Sequence, residues 1–237
     1  MAMGSIKRFF YTYGVLLKDA IKTTSQLIYG VWKVSKLPHP IVTIFGGSRF
    51  AQENKYTRQA HELAHKLVER NISVITGGGP GIMQAASCGA MEVIKKNKSR
   101  ARTLGITVSG LESEGINECI VDDYITTDFF FARKWLMINY SVAFAVFPGG
   151  FGTLEELSEV LTLMQTKKLA SVPIVLIGSD YWKPLLDWWL GYAVKEKLIV
   201  EMEMKLLVVV DDIDQAVELL KHQCDECEKM DKKRIVK

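Results

Sequence analysis

Several things are scarce in this chain, and each scarcity removes a class of protein. No run of 18 or more uncharged apolar residues occurs, so no transmembrane span is expected. The 237 residues include four cysteines (Cys88, Cys119, Cys224 and Cys227), too few and too scattered for a disulfide framework. A reducing, cytoplasmic setting is the expectation that follows. Neither sign of charge is in excess: 30 Lys and Arg against 27 Asp and Glu leave a net charge of +3, too small to call for a nucleic-acid partner. A secretory signal would need an unbroken apolar core and a small-residue cleavage site, and neither is clear. Internal repeats and low-complexity tracts are missing from the body of the chain.

What remains is ordinary globular composition, 48% apolar and 24% charged, in two unequal parts. Residues 1–39 read as an N-terminal helical extension. Phe9, Phe10, Tyr13, Leu16, Leu17, Ala20 and Ile21 recur at helical spacing, broken by Lys7, Arg8, Lys18, Lys22, Lys33 and Lys36. Aromatics on a basic helix suit a protein interface, so packing on the main domain or on a second subunit is expected over membrane anchoring. Residues 40–237 read as one domain in which short apolar runs alternate with amphipathic helices. Strands are expected at 41–45, 72–75, 103–108, 142–147, 173–177 and 205–210. Helices are expected at 55–70, 82–96, 129–139, 154–167, 182–195 and 213–229. Residues 109–123 read as a long loop, with a short edge strand expected at 119–121. This alternation describes an α/β fold, a doubly wound parallel sheet of Rossmann-like type.

Three glycine-bearing turns follow strands and therefore project from one sheet edge: Gly46-Gly47-Ser48-Arg49, Gly77-Gly78-Gly79-Pro80-Gly81, and Pro148-Gly149-Gly150-Phe151-Gly152-Thr153. The last two open directly into helices, where unpaired backbone N–H groups favour an anion. A phosphate-bearing ligand held between two helix N-termini is the economical reading. Thr153 and Glu156 have the spacing of a capping box, which would place Glu156 at the helix start. The G-x-G-x-x-G fingerprint fails, because Gln84 stands beyond Gly79-Pro80-Gly81-Ile82-Met83, and no acid follows the third strand to hold a ribose diol. No Gly-Lys-Ser/Thr ending completes a Walker loop. These absences favour a mononucleotide or a sugar phosphate.

Other motifs carry less. His61-Glu62-Leu63-Ala64-His65 matches H-E-x-x-H, but the buried stripe Ala60, Leu63, Ala64 and Leu67 leaves both histidines on its flank, and no third ligand is evident. Cys224 and Cys227 have C-x-x-C spacing late in a charged helix, without further ligands. No metal is expected. In Phe129–Met137, Arg133 and Lys134 are adjacent cations on an otherwise apolar helix. Arg133 is expected to face a phosphate or carboxylate, with Lys134 diverging from it.

In combination, residues 76–83, 130–134 and 148–156 resemble the LOG (LONELY GUY) family, whose members are often labelled "possible lysine decarboxylase". The resemblance covers roughly residues 40–215, including 161–166 and Tyr181-Trp182. It implies phosphoribohydrolase activity: a nucleoside 5′-monophosphate of the AMP or cytokinin riboside type is cleaved to free base and ribose 5-phosphate, without a cofactor. It also implies a homodimer or larger homo-oligomer. Arg133 and Glu156 match the family's catalytic arginine and glutamate. Ser48, Gly77, Gly78, Gly79, Gly81, Met83, Lys134, Gly149, Gly150, Gly152 and Thr153 form the expected substrate- and phosphate-binding set. The decarboxylase label is rejected on chemistry, since no lysine other than Lys134 stands where a pyridoxal phosphate Schiff base could form. Two rivals remain: a nucleotide- or molybdenum-cofactor-binding carrier of the same fold, and an interaction module acting through the basic N-terminal helix.

Overall fold

The structure is a computed structural model that describes residues 2–96, 98–110, 119 and 124–235. Its centre is a seven-stranded sheet of β1 (Ile41–Phe45), β2 (Ser73–Thr76), β3 (Thr103–Val108), β4 (Tyr124–Thr127), β5 (Ala143–Val146), β6 (Ile174–Ile177) and β7 (Leu207–Val210). The order is β4-β3-β2-β1-β5-β6-β7 and every pairing is parallel. The inner strands are apolar on both sides because helices cover both faces, which is why they appear in the sequence as continuous runs. The helices are α1 (Ala2–Val34), α2 (Lys55–Glu69), α3 (Ile82–Lys95), α4 (Phe130–Asn139), α5 (Phe151–Gln165), α6 (Ser179–Trp188), α7 (Glu201–Met204) and α8 (Ile213–Ile235). On one face Leu63 and Leu67 of α2, Ile82 and Ala86 of α3, and Val217 and Leu220 of α8 share a core with Val42, Ile44 and Val74. On the other, Leu136 and Met137 of α4, Leu157 and Val160 of α5, and Trp182 of α6 pack on Ile41, Phe45, Phe144 and Leu176.

The order in which strands are added to the sheet reverses between β1 and β5, the switch point at which such sheets bind ligands. The turns after these two strands are tied there, Gly47 N–H donating to the Pro148 carbonyl at 3.0 Å.

Several local expectations change. Helix α5 begins at Phe151 rather than 154, with Gly150 at the N-cap and no side-chain cap bond, so the Thr153–Glu156 capping box does not form. The segment 182–195 divides into α6, which contains Pro184, and a π-helical turn at Trp189–Val194. Strand β4 and the single turn α7 were not anticipated. The strand expected at 119–121 lies, apart from Cys119, outside the described residues. Cys88 and Cys119 are joined by a disulfide, with Cα atoms 5.0 Å apart, a pairing that their 31-residue separation did not signal.

Helix α1 only half-follows expectation. Its C-terminal half packs against the β4 edge: Thr23, Gly30 and Val34 are buried, and Lys33 Nζ donates to the Tyr124 carbonyl at 2.8 Å. Asp128 joins the same contact, through a 2.5 Å ion pair to Lys22 and a 3.1 Å bond from its N–H to Gln26 Oε1. The N-terminal half, from Lys7 to Lys22, is exposed apart from the half-buried Asp19, so the expected packing on the domain does not extend to it. Among the described residues no helix is long and apolar enough to cross a membrane.

Candidate active site

A cleft of about 990 Å³ opens at the carboxyl ends of the strands, across the switch point. All three glycine turns contribute to it. The turn after β1 supplies Gly46 to Arg49, the turn after β2 supplies Gly77 to Pro80, and the turn after β5 supplies Gly149 to Thr153. Met83, Arg133 and Glu156 lie among them. Of the sequence-derived set, Gly81 and Lys134 do not line the cleft.

The turn between β2 and α3 is filled by the protein itself. The Ile82 N–H donates to the Gly47 carbonyl at 3.1 Å and the Gly78 N–H to Thr76 Oγ1 at 3.2 Å, while the Tyr124 hydroxyl donates to the Gly78 carbonyl. Gly81 has φ +65°, and a Cβ there would meet the Gly47 and Ser48 backbone. A Cβ on Gly77 would overlap Arg133 Nη2.

The turn between β5 and α5 is different. Gly150 and Gly152 have nothing within 4 Å of where a Cβ would stand, and neither has a positive φ. Backbone sterics therefore give no reason for glycine at either position, and the space beside the backbone is open. The N–H groups of Phe151, Gly152 and Thr153, in the first turn of α5, take no acceptor among the described residues. They are oriented as an anion site with the helix dipole behind them. Phe151, at 93% exposure, stands at the mouth. The Tyr181 hydroxyl donates to the Gly149 carbonyl and fixes the turn from the α6 side.

Behind this open helix end lies a buried ion pair. Arg133 Nη2 is 3.1 Å from Glu156 Oε1, and both side chains are at most 10% exposed. Arg133 Nε donates to the Ile106 carbonyl at 2.9 Å, so β3 sets the orientation of the guanidinium. Burial pushes the Glu156 carboxyl up to about 7, against the pull of Arg133 in the other direction. A carboxyl poised there can be ionised and still basic enough to take a proton near neutral pH. Because no capping box forms, Glu156 is free for this pairing. Lys134, the neighbouring cation, turns away: it bonds Glu155 and lies 2.6 Å from Glu159 Oε2. Burial opposes its charge, but the two carboxylates outweigh that and hold its pKa above the ordinary lysine value. It locks α4 to α5 outside the cleft.

Sequence reasoning missed Tyr124, Thr126, Phe130 and Tyr181 as cleft residues. Tyr124 and Thr126 come from a strand that was not anticipated, and Tyr181 reaches the site only through the position of β6 beside β5. Among the described residues no group of three or more His, Cys, Asp or Glu side chains could hold a metal. His61 instead lies 3.0 Å from Glu92, and His65 lies 3.7 Å from Glu69.

Residues 83–220 match the sequence family described as "possible lysine decarboxylase". The chain is 31% identical over 181 residues to a cytokinin riboside 5′-monophosphate phosphoribohydrolase of Arabidopsis thaliana, covering 76% of this chain and 81% of the relative. It is 30% identical over 192 residues to a probable enzyme of the same name from Oryza sativa subsp. japonica, covering 80% and 75%. Among solved structures, the molybdenum cofactor carrier protein of Chlamydomonas reinhardtii superposes with a TM-score of 0.53 at 23% identity, covering 78% of this chain and 97% of that one. The molybdenum cofactor binding protein of Rippkaea orientalis gives 0.55 at 23% identity, covering 77% and 96%. At that identity the likeness is one of fold.

Proposed function

The chain belongs to the family described as "possible lysine decarboxylase", which includes the LOG phosphoribohydrolases, and on that premise we propose that it hydrolyses nucleoside 5′-monophosphates. The products are the free base and ribose 5-phosphate. The observation that carries the proposal is the buried Arg133–Glu156 pair, set behind a helix N-terminus whose donors are open. Glu156 follows Phe151 by roughly one and a half helical turns, about 7.5 Å along the axis. A phosphate held on the N–H groups of Phe151, Gly152 and Thr153 therefore leaves the ribose lying toward Glu156. Ser48 and Arg49 also line the cleft.

The chemistry is displacement at the anomeric carbon through an oxocarbenium-like transition state. The C1′–N bond breaks, its electron pair leaves with the base, and that nitrogen takes a proton from solvent. A water oxygen bonds to C1′ and gives its proton to the Glu156 carboxylate. The same carboxylate, in its ionised form, stabilises the positive charge that develops on the ribose. Arg133 favours that ionised form against burial, and its bond to Ile106 holds both groups in place.

The decarboxylase chemistry in the family's description does not fit. The cleft has no lysine among its described lining residues, and Lys134 is engaged by Glu155 and Glu159. The family resemblance also favours a homodimer or larger homo-oligomer, which light scattering of the full chain reads directly. Incubation with AMP and other nucleoside 5′-monophosphates, followed by chromatography for free base, tests the activity. Tight binding without base release supports a carrier instead.

A further inference from the structure

A row of apolar side chains that no other helix or strand covers among the described residues runs the length of α1. Phe10, Leu17, Ile21, Ile28 and Trp32 are each at least half exposed. Their spacings of seven, four, seven and four residues keep them on one side of the helix at about 100° per residue. Thr23, Gly30 and Val34, which face the domain, lie roughly 120–160° round the helix from them. The row therefore points away from the body of the protein, and a flat surface can lie along it without meeting the domain.

The borders of the row are chemically uneven. Phe9 and Tyr13 stand on one side, with ring centroids 4.3 Å apart, and Phe9 also meets Phe10 edge-on at 5.8 Å. Lys7, Lys18 and Lys36 stand on the other, with the Lys36 ammonium 3.2 Å from the centre of the Trp32 ring. Between residues 7 and 36 there are six cations (Lys7, Arg8, Lys18, Lys22, Lys33 and Lys36) and one acid, Asp19, on the side away from the row. A helix that pairs with its own copy needs opposite charges along the border of its seam. Here an antiparallel pair would bring lysine against lysine and a parallel pair would bring lysine against Phe9 and Tyr13, with no acid to receive either. An anionic bilayer presents the complementary charge and a continuous apolar layer beneath it.

We propose that α1 lies in the surface of an anionic phospholipid membrane, with Phe10, Leu17, Ile21, Ile28 and Trp32 in the acyl boundary and Lys7, Lys18 and Lys36 among the headgroups. The sequence favours packing on the main domain or on a second subunit; the domain leaves the first half of α1 uncovered among the described residues, and the charge along the row favours lipid over a second copy. It is independent of the hydrolase proposal.

Co-sedimentation of the full chain with vesicles tests it. The protein pellets with phosphatidylcholine vesicles that contain phosphatidylglycerol and stays in solution with phosphatidylcholine alone. The double variant Leu17→Glu/Ile21→Glu lowers the bound fraction by about tenfold or more, since burying either side chain is worth most of a tenfold step or better. Lys7→Glu/Lys18→Glu lowers it to a similar extent and weakens the salt dependence. All four positions are exposed, so the thermal unfolding midpoint is unchanged in both variants. Failure to pellet with the anionic vesicles overturns the proposal, as does equal pelleting of the two variants and wild type. If Leu17→Glu/Ile21→Glu instead turns a dimer into a monomer in the absence of vesicles, the face belongs to a second copy of the chain.

Discussion

The turns before α3 and α5 look alike as sequence, yet the protein uses them for different work. In the β2–α3 turn the glycines are required by the protein: Arg133, Met83, Tyr124 and the Gly47–Ser48 backbone occupy the space a side chain would need. The first N–H of that helix is already bonded to Gly47. In the β5–α5 turn Gly150 and Gly152 border open space, and three N–H groups take no acceptor among the described residues. One glycine turn is a wall and the other is a seat. Glycine content alone marks a place where backbone comes close to something; only the neighbours say whether that something is the protein or its substrate.

The sharpest break in this contrast is made at the carboxylate behind the seat. Glu156→Gln keeps the shape and removes the base, and kcat for base release is expected to fall by about a thousandfold. Chromatography of free base from a nucleoside monophosphate measures it. Next in size is the pH dependence of stability. The Glu156 pKa is raised on folding from 4.5 to about 7, so between those values the native state holds a proton that the unfolded chain has lost. Stability therefore falls as pH rises through this window, by on the order of 3 kcal/mol, and is level above it. Urea unfolding at pH 5 and pH 8 shows the loss in wild type, and Glu156→Gln lacks that component.

On the wall side, Gly81→Ala combines a φ of +65° with a backbone overlap at Gly47, and is expected to destabilise by about 1–3 kcal/mol in the same assay. On the seat side the sign reverses. Gly152 lies inside a helix with open space around it, so Gly152→Ala stabilises by about 0.5–1 kcal/mol. The added methyl stands where the phosphate approaches, and KM rises by about tenfold. A glycine whose replacement helps the fold and harms binding is held by function. Should Gly152→Ala leave KM unchanged, the phosphate lies elsewhere.

Much of the fold was legible because buried parallel strands are continuous apolar runs. The bounds of β1 and β3 agree with expectation to the residue, at Ile41–Phe45 and Thr103–Val108. Strand β4 was not legible: Tyr124–Thr127 is a four-residue edge strand in which only Ile125 is aliphatic, and it takes its pairing from β3. The start of α5 was misplaced because glycine is a poor helix former, and Gly152 within the helix masked its first turn. That displacement decides the role of Glu156. Counted from 154 it is a capping residue, and counted from Phe151 it lies deep enough to meet Arg133.

Lys134 shows the reverse limit. The family motif alone places it in the binding set, while helical geometry has it diverge from Arg133; its partners, Glu155 and Glu159, are on the outer side of α5. The cleft residues Tyr124 and Tyr181 needed the strand order, because Tyr124 comes from the β4 edge and Tyr181 from α6, which follows β6 on the other side of the switch point.

The central claim is that the open α5 turn seats a phosphate and that Glu156 then cleaves the glycosidic bond beside it. Its most direct test is base release from AMP and from adenosine, by wild type and by Glu156→Gln. The account predicts adenine and ribose 5-phosphate from AMP with wild type, none from adenosine, and about a thousandfold slower release from AMP with Glu156→Gln. Equal release from AMP and adenosine, or release from AMP unaffected by Glu156→Gln, would contradict it.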